Sequence, residues 1–264
     1  MLVSETEIIP YNVTSPWGTR VLVVAPHPDD ETLGCGGTIR LLAQSEKALK
    51  VVFLTSGDKA DPAHRLAQRV HQKPHITDYS ALREKEAQKA LRVLGITDYE
   101  FMRFPDRGLA DNYGAAFEYL RKIAEDFRPD AIYAPSMVEL NPDHRVAAVI
   151  AMHLQRALGA LKDPDFTRLV FYEVSTALRP NMLVDITATF GKKRQAVKKY
   201  RSQLKLINYL GHVTALNTFR SLTVQRARYV EAFWTLPQPA TAQEVSNWLS
   251  YQGIFNLEHD GVAG

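Results

Sequence analysis

The sequence predicts an α/β protein with one mostly parallel sheet and helices on both of its faces. Short apolar runs alternate with longer helical stretches, which is the rhythm of repeated strand–helix units. The first run, residues 21–24, reads Val-Leu-Val-Val and has the continuous apolar character of a buried parallel strand. A length of 264 residues with 45% hydrophobic composition suits one large α/β domain, so we assign residues 1–264 to a single domain.

The elements follow one another along the chain. Strands are predicted at residues 21–25, 50–55, 100–104 and 131–134, and helices follow them at residues 38–44, 79–94, 115–127 and 143–161. Later strands are predicted at residues 169–174 and 183–186, with an antiparallel edge strand at residues 228–234. Residues 56–78 are predicted to form a long loop on the substrate side. Residues 190–207 carry apolar residues at helical spacing among many lysines and arginines, which predicts one amphipathic helix with a basic face.

Composition excludes several classes of protein. The net charge of +3 is too small to indicate a nucleic-acid-binding protein. Cys35 is the single cysteine, so an intramolecular disulfide framework is excluded. No apolar run approaches the ~18 residues of a membrane span, and the first residues lack the apolar region of a secretory signal. These features predict a cytoplasmic protein without a transmembrane segment, and the basic face leaves peripheral membrane contact open.

Ionisable side chains follow the first strand directly. The strand runs into Pro26-His27-Pro28-Asp29-Asp30-Glu31, which places three carboxylates and an imidazole at its carboxyl end. Ligands of α/β proteins usually bind at this edge of the sheet. Packing alone does not require four ionisable groups there, so the segment predicts a metal site or an acid–base site.

A second segment of the same kind completes a metal site. Residues 141–145 read Asn-Pro-Asp-His-Arg and follow another predicted strand, so His144 is expected at the same sheet edge as His27 and Asp30. Two imidazoles and one carboxylate are the ligand set of catalytic zinc, which keeps a position open for water or substrate. Another divalent ion such as Fe²⁺ uses the same set in mononuclear oxygenases. Asp29 is then free to act as general base on the bound water.

Some of these residues also have purely structural interpretations. Asp29 and Asp30 could be carboxylates that favour a helix N-terminus. Asn141 before a proline has the pattern of a helix cap, and Asp143 suits the first helical turn as well as a catalytic role. The glycines at positions 34, 36 and 37 favour close helix–strand packing over phosphate binding, since the full dinucleotide fingerprint is absent.

At these residues the chain resembles the PIG-L/LmbE-like family of zinc-dependent N-deacetylases. Residues 25–31 match the family's motif after the first strand, and residues 141–144 match its distal His-Pro-Asp-His-like element. Further similarity is found at residues 81–86, 104–109, 200–203 and 229–233. The resemblance implies a Rossmann-like sheet and removal of an N-acetyl group from N-acetylglucosamine conjugates. It also implies metal ligands His27, Asp30 and His144, general base Asp29, and substrate contacts by Arg83 and Asp106.

The chain departs from the family at one position. Several members have a histidine where this chain has Asn141, and that histidine is thought to stabilise the oxyanion or supply a proton. An amide can donate a hydrogen bond to an oxyanion but cannot titrate. The resemblance therefore leaves two alternatives: Asp29 moves the proton in both directions, or another acid such as Glu139 or a loop histidine takes over.

The expected protein is a zinc-dependent deacetylase of an amino-sugar conjugate. Its substrate is expected to be a small molecule or a lipid- or nucleotide-linked sugar, with no nucleic-acid partner and with homo-oligomer formation left open. Two alternatives remain: a mononuclear non-haem iron oxygenase with the same ligands, and a non-catalytic glycan-binding relative. The sugar, its aglycone and the acyl group are not predicted by the sequence.

Overall fold

A single eight-stranded sheet forms the centre of the fold in the computed structural model, which describes residues 12–60, 79–159, 167–236 and 238–252. The described strands are β1 (Asn12–Val13), β2 (Arg20–Ala25), β3 (Ala48–Thr55), β4 (Asp98–Phe104), β5 (Ala131–Pro135), β6 (Arg168–Tyr172), β7 (Met182–Asp185) and β8 (Val230–Leu236). The described α-helices are α1 (Asp30–Gln44), α2 (Tyr79–Leu94), α3 (Tyr113–Phe127), α4 (Pro142–Gly159), α5 (Phe190–Val197), α6 (Arg201–Leu204), α7 (Tyr209–Arg220) and α8 (Ala242–Tyr251). Short 3₁₀ helices lie at Asp58–Ala60 and Ser221–Thr223. The predicted fold class is confirmed.

The strand order is β1-β7-β8-β6-β5-β2-β3-β4. All strand pairs are parallel except the two that β8 makes, with β6 and with β7. The predicted antiparallel strand is therefore present, but its predicted place at an edge is wrong. Phe233 of β8 pairs with Tyr172 on one side and with Met182 on the other, so the strand is internal.

Apolar side chains cover both faces of the central strand β2. Val21 and Val23 belong to one buried cluster with residues of α1 and α2, whereas Leu22 and Val24 belong to a second cluster with residues of α3 and α4. Because both faces are covered, the strand reads as a continuous apolar run rather than an alternating one. The sheet is thus a rigid layer between two helical layers, and its strand ends are fixed in position.

Glycines let helix α1 pack closely against the sheet. A Cβ atom at Gly34 would lie 2.2 Å from Cδ2 of Tyr172, and one at Gly37 would lie 2.7 Å from Cβ of Ile186. The interpretation of these glycines as packing residues is confirmed. The helix begins at Asp30, earlier than predicted, and is kinked at Cys35, where φ is −133°.

The predicted single basic helix over residues 190–207 is wrong. The structure has two short helices, α5 and α6, with Tyr200 between them at φ −78° and ψ 59°. Tyr200 is buried, and so is Lys193, whose Nζ lies 2.7 Å from Oε1 of Glu231. Lys193 and Tyr200 are seven positions apart, so both belong to the face that also buries Phe190 and Val197, and Glu231 compensates the buried charge of Lys193 there.

Most of the predicted substrate-side loop, which contains His64, His71 and His75, lies outside the described residues. Among the described helices, none is both long enough and apolar enough to cross a bilayer.

Candidate metal centre

The two metal-site segments meet at the carboxyl ends of adjacent strands. β2 and β5 are parallel neighbours, with Val21 opposite Ala131. The turn after β2 carries His27 and leads into α1 at Asp30, and the segment after β5 leads into α4, whose first turn carries His144. Parallel pairing therefore brings together side chains that are 117 positions apart in the sequence.

Three ligand atoms converge at this point. Nδ1 of His27 lies 3.0 Å from Oδ2 of Asp30, and Nε2 of His144 lies 3.2 Å from the same oxygen. The two ring nitrogens are 3.3 Å apart. Ligand atoms about 2.0–2.1 Å from a tetrahedral zinc ion are separated by roughly 3.3 Å, so this triangle fits a small divalent ion. His27, Asp30 and His144 thus form a candidate metal site.

Carboxylates hold both imidazole rings from behind. Nε2 of His27 lies 3.4 Å from Oδ1 of Asp106 and 3.4 Å from Oδ2 of Asp143. Nδ1 of His144 lies 3.5 Å from Oε2 of Glu139. A carboxylate at the far nitrogen fixes the orientation and tautomer of a metal-binding histidine. The far nitrogens therefore face carboxylates, although that of His144 makes no hydrogen bond at 3.5 Å, and the near ones point to the centre of the triangle.

The metal-free site is charged. Burial lowers the pKa of His144, but the carboxylate of Asp30 outweighs it and raises that pKa to about 9. Burial also lowers the pKa of His27, but Asp106, Asp143 and Asp30 together raise it well above its usual value. The two imidazoles in turn hold the pKa of Asp30 far below its usual range despite its burial. Protons occupy the ring nitrogens in the absence of a cation, and a metal ion would replace them.

Asp29 lies beside the triangle without belonging to it. It is buried, and its Oδ1 lies 3.0 Å from Nη2 of Arg83. Burial raises the pKa of Asp29 to about 6, although the charge of Arg83 opposes this shift. Arg83 also donates hydrogen bonds to the carbonyl oxygens of Gly57 and Pro28. These contacts hold the guanidinium in place, and its predicted contact with substrate stays a prediction.

Asn141 and Asp143 occupy different places at the start of α4. Oδ1 of Asn141 accepts a hydrogen bond from the backbone amide of Asp143 at 2.9 Å, which is a helix cap, and Asn141 also lines the cavity. Asp143 is buried behind His27 and accepts hydrogen bonds from the backbone amides of Arg107 and Leu109. Its contacts suit a residue that positions His27, and its predicted catalytic role stays a prediction.

Two buried carboxylates at the site were not placed by the sequence. Glu31 accepts a hydrogen bond from the hydroxyl of Tyr200 at 2.5 Å, across 169 positions of sequence. Burial raises the pKa of Glu31 to about 7. Glu139 accepts hydrogen bonds from the backbone amides of Val174 and Ser175, which with His144 lower its pKa despite burial. An ionised Glu139 orients His144 and is poorly suited to be the alternative acid.

The triangle opens into a cavity of about 680 Å³. Asp106 lines it together with the three ligands, Asp29, Arg83 and Asn141. The opposite side is formed by residues of α7 and of the segment before it, among them His212. Nothing in the sequence around His212 indicates that this side chain lines the site.

Comparison with known proteins agrees with this geometry. The family model described as GlcNAc-PI de-N-acetylase, PIG-L, matches residues 22–155. A probable N-acetyl-alpha-D-glucosaminyl L-malate deacetylase 2 of Bacillus anthracis is 28% identical over 191 residues, which cover 70% of this chain and 81% of that protein.

Solved structures share the fold. The N,N'-diacetylchitobiose deacetylase from Pyrococcus horikoshii is 24% identical with a TM-score of 0.69, covering 88% of this chain and 90% of that chain. The 4-carboxy-2-hydroxymuconate hydratase from Pseudomonas putida is 22% identical with a TM-score of 0.65, covering 84% of this chain and 97% of that chain. Because a deacetylase and a hydratase both have this fold, the fold alone does not decide the reaction.

Proposed function

The chain belongs to the GlcNAc-PI de-N-acetylase (PIG-L) family, and on this basis we propose that it hydrolyses the N-acetyl amide of an N-acetylglucosamine-type conjugate. The observation that carries the proposal is the position of Asp29, a buried carboxylate next to three convergent metal ligands in one cavity. Hydrolysis of an amide needs an electrophilic carbonyl, an activated water and a group that moves protons. The site has residues for each of these requirements.

The proposed cofactor is zinc, held by His27, Asp30 and His144. When bound, zinc lowers the pKa of water to about 7 and polarises a carbonyl oxygen. The family supports this choice over iron, and the separations among the three ligand atoms are compatible with it.

Asp29 is the proposed proton carrier. Its Oδ1 is paired with Arg83, so Oδ2 is the oxygen available to take a proton from the attacking water. A carboxylate whose pKa is raised to about 6 accepts a proton near neutral pH more readily than an ordinary aspartate, and it can then release that proton to the departing amine. This supports the alternative in which Asp29 moves the proton in both directions, so that Asn141 need not titrate. The products are acetate and the free amino sugar.

Acetate release tests the proposal. The zinc-loaded protein would be assayed against N-acetylhexosamine conjugates, both neutral and phosphate-bearing, with the metal-free protein as control. We expect metal-dependent release of acetate and of a primary amine in equal amounts. Oxygen uptake that depends on iron would favour the oxygenase alternative, and glycan binding without acetate release would favour a non-catalytic relative.

A further inference from the structure

One side of the cavity is apolar. Six residues of helix α7 line the cavity, most of them at spacings of three and four: Tyr209, His212, Val213, Ala215, Leu216 and Phe219. Leu206 and Ile207 extend this side before the helix begins. We call the set formed by Leu206, Ile207, Val213, Leu216 and Phe219 the apolar wall.

The wall is anchored to the metal-bearing helix. Val213 is buried and packs with Leu33 of α1 and Val197 of α5. Leu33, which follows ligand Asp30 by less than one turn, lines the same cavity. The contact between Leu33 and Val213 therefore joins the wall to the helix that begins with Asp30, while Tyr209 and His212 are polar members of the same lining.

Charged side chains of the cavity lining come from other segments of the chain. Besides the imidazoles of His27 and His144, the charged residues among the described lining are Asp29, Asp30, Lys59, Arg83, Asp106 and Arg107. These six precede residue 108, whereas the lining residues from 203 to 219 carry no carboxylate, lysine or arginine. A sugar with its hydroxyl groups suits the charged residues, and a group without polar atoms suits the wall.

Part of the wall is exposed. Phe219 is 59% exposed and Ile207 is 39% exposed, and the guanidinium of Arg220 lies 5.4 Å from the centroid of the Phe219 ring. Neighbouring apolar side chains exposed at the mouth of a cavity mark a binding surface more often than a single exposed leucine does. A cavity of about 680 Å³ also lies in the range that holds a ligand of drug size, which exceeds one hexosamine.

We propose that the apolar wall is an aglycone subsite, which binds an apolar alkyl or aryl group carried by the amino sugar. The inference rests on the proposed function, because it assumes that the N-acetyl group lies at the metal site. An apolar aglycone is the favoured occupant because the wall and the candidate metal ligands line the same cavity. Polar aglycones such as a second sugar or a carboxylic acid would leave the wall without a partner.

A chain-length series tests the subsite. Methyl, butyl, hexyl and octyl glycosides of N-acetylglucosamine, with the phenyl glycoside beside hexyl, would be assayed for acetate release by the zinc-loaded protein. We expect KM to fall by up to about fourfold for each methylene that becomes buried, until the chain extends past the wall. If KM falls for the hexyl glycoside but not for the phenyl glycoside, the subsite prefers a flexible aliphatic group. If KM falls for the phenyl glycoside only, it prefers a flat aromatic group.

Matched variants assign the effect to the wall. Replacing two exposed wall residues in Ile207→Ser/Phe219→Ser should flatten the dependence on chain length. Leu222→Ser is the control, since Leu222 is 77% exposed and does not line the cavity. The proposal would be overturned if KM of the native protein did not change with chain length, or if it changed equally steeply in the double variant.

A binding measurement separates this inference from the proposed function. The corresponding glycosides of free glucosamine would be titrated by calorimetry, which needs no turnover. If affinity rises with chain length but no glycoside releases acetate, the subsite is supported and the deacetylase proposal is rejected. If acetate is released but affinity does not depend on chain length, the deacetylase proposal is supported and the subsite is rejected.

Discussion

Asp29 and Arg83 form a buried ion pair, with Nη2 of Arg83 3.0 Å from Oδ1 of Asp29. Both side chains are nearly inaccessible to solvent, yet both line the cavity. The pair joins the turn after β2 to helix α2 and leaves one oxygen of Asp29 without this cation. This arrangement separates Asp29, the proposed proton carrier, from the candidate metal ligand Asp30 that follows it in the sequence.

Asp29→Asn should keep the metal and lose activity. The amide preserves size but cannot take a proton, so kcat should fall by roughly 10²–10⁴, the usual contribution of a general base. Steady-state kinetics and metal content would be measured on the same preparation. Asp30→Asn is the control, since it should lose both metal and activity. If Asp29→Asn also lost the metal, Asp29 would be a ligand instead.

His144→Ala should weaken metal binding. It removes one of three atoms that converge within 3.3 Å of one another, and an ion with two protein ligands is held poorly. Elemental analysis after zinc loading should give about one ion per native chain, and the variant should lose it on dialysis. His153→Ala is the matched control, because His153 contacts Tyr113 and does not line the cavity. No stoichiometric metal in the folded native protein would reject the site.

Substitutions at Asn141 distinguish capping from catalysis. Loss of the cap alone in Asn141→Ala should cost ~1 kcal/mol of unfolding free energy. Loss of an oxyanion donor should instead raise the barrier by about 2.7–4 kcal/mol. Asn141→Ser distinguishes the two roles, because serine should retain the helix cap. If Asn141 only caps the helix, this variant would also keep the native rate.

Asn141→Asp is the sharpest of these variants. It still accepts from the amide of Asp143 and should cap the helix as well as asparagine does. Its negative charge would lie where an oxyanion develops, so we expect a folded, metal-binding protein with strongly reduced kcat. Thermal unfolding and kinetics would be compared. An unchanged kcat would show that Asn141 does not face the reacting carbonyl.

The metal-free protein should lose stability as pH rises from about 6.5 to about 9. Folding raises the pKa of His144 from a usual value of 6.5 to about 9. Protonated His144 therefore stabilises the folded state fully below pH 6.5, and this stabilisation is lost as the pH rises to about 9. Urea unfolding at several pH values would measure the change. The zinc-loaded protein is the control, and it should show a smaller loss because the metal replaces the protons. Equal slopes for the two forms would contradict the prediction.

The buried pair of Lys193 and Glu231 should be essential for stability. Glu231 also accepts hydrogen bonds from the backbone amides of Gly37 and Thr38, just after the kink in α1. Removing one partner leaves a buried charge unpaired, so Lys193→Met and Glu231→Gln should each cost about 3–5 kcal/mol of unfolding free energy. Urea unfolding of the zinc-loaded protein measures this cost.

The control for that pair is the neighbouring exposed lysine. Lys192→Met removes the same charge from the same helix and should leave stability within about 0.5 kcal/mol. The double variant Lys193→Met/Glu231→Gln should cost less than the sum of the single variants, because the two side chains interact directly. Additive losses would mean that the ion pair contributes nothing of its own.

The sequence predicted the metal site because its information is local. His27 and Asp30 lie in one turn, and His144 follows a strand that can be recognised by its apolar run, so knowledge of a parallel sheet is enough to place all three at one edge. The arrangement was confirmed by the distances among their atoms. Their catalytic roles are set by chemistry that coordinates alone do not test.

The partners of two other buried carboxylates, Glu31 and Glu231, could not be predicted in the same way. Glu31 depends on Tyr200, and Glu231 depends on Lys193, so each partner lies in a distant element. In the sequence, Lys193 looks like its exposed neighbours, because a helical pattern shows which residues share a face but not what covers that face. Lys193 shares the buried face of α5 with Phe190 and Val197, and only tertiary packing reveals that Glu231 lies against it.

The place of β8 in the sheet has a consequence for synthesis of the chain. β8 is late in the sequence but joins β6 to the pair formed by β7 and β1. Until residue 236 has left the ribosome, β7 has no hydrogen-bonded neighbour on the side toward β6. The strands from β2 to β6 can assemble earlier as the chain emerges. Completion of the sheet must therefore wait for a contact of long sequence separation, which is the kind of contact that slows folding and exposes strand edges meanwhile.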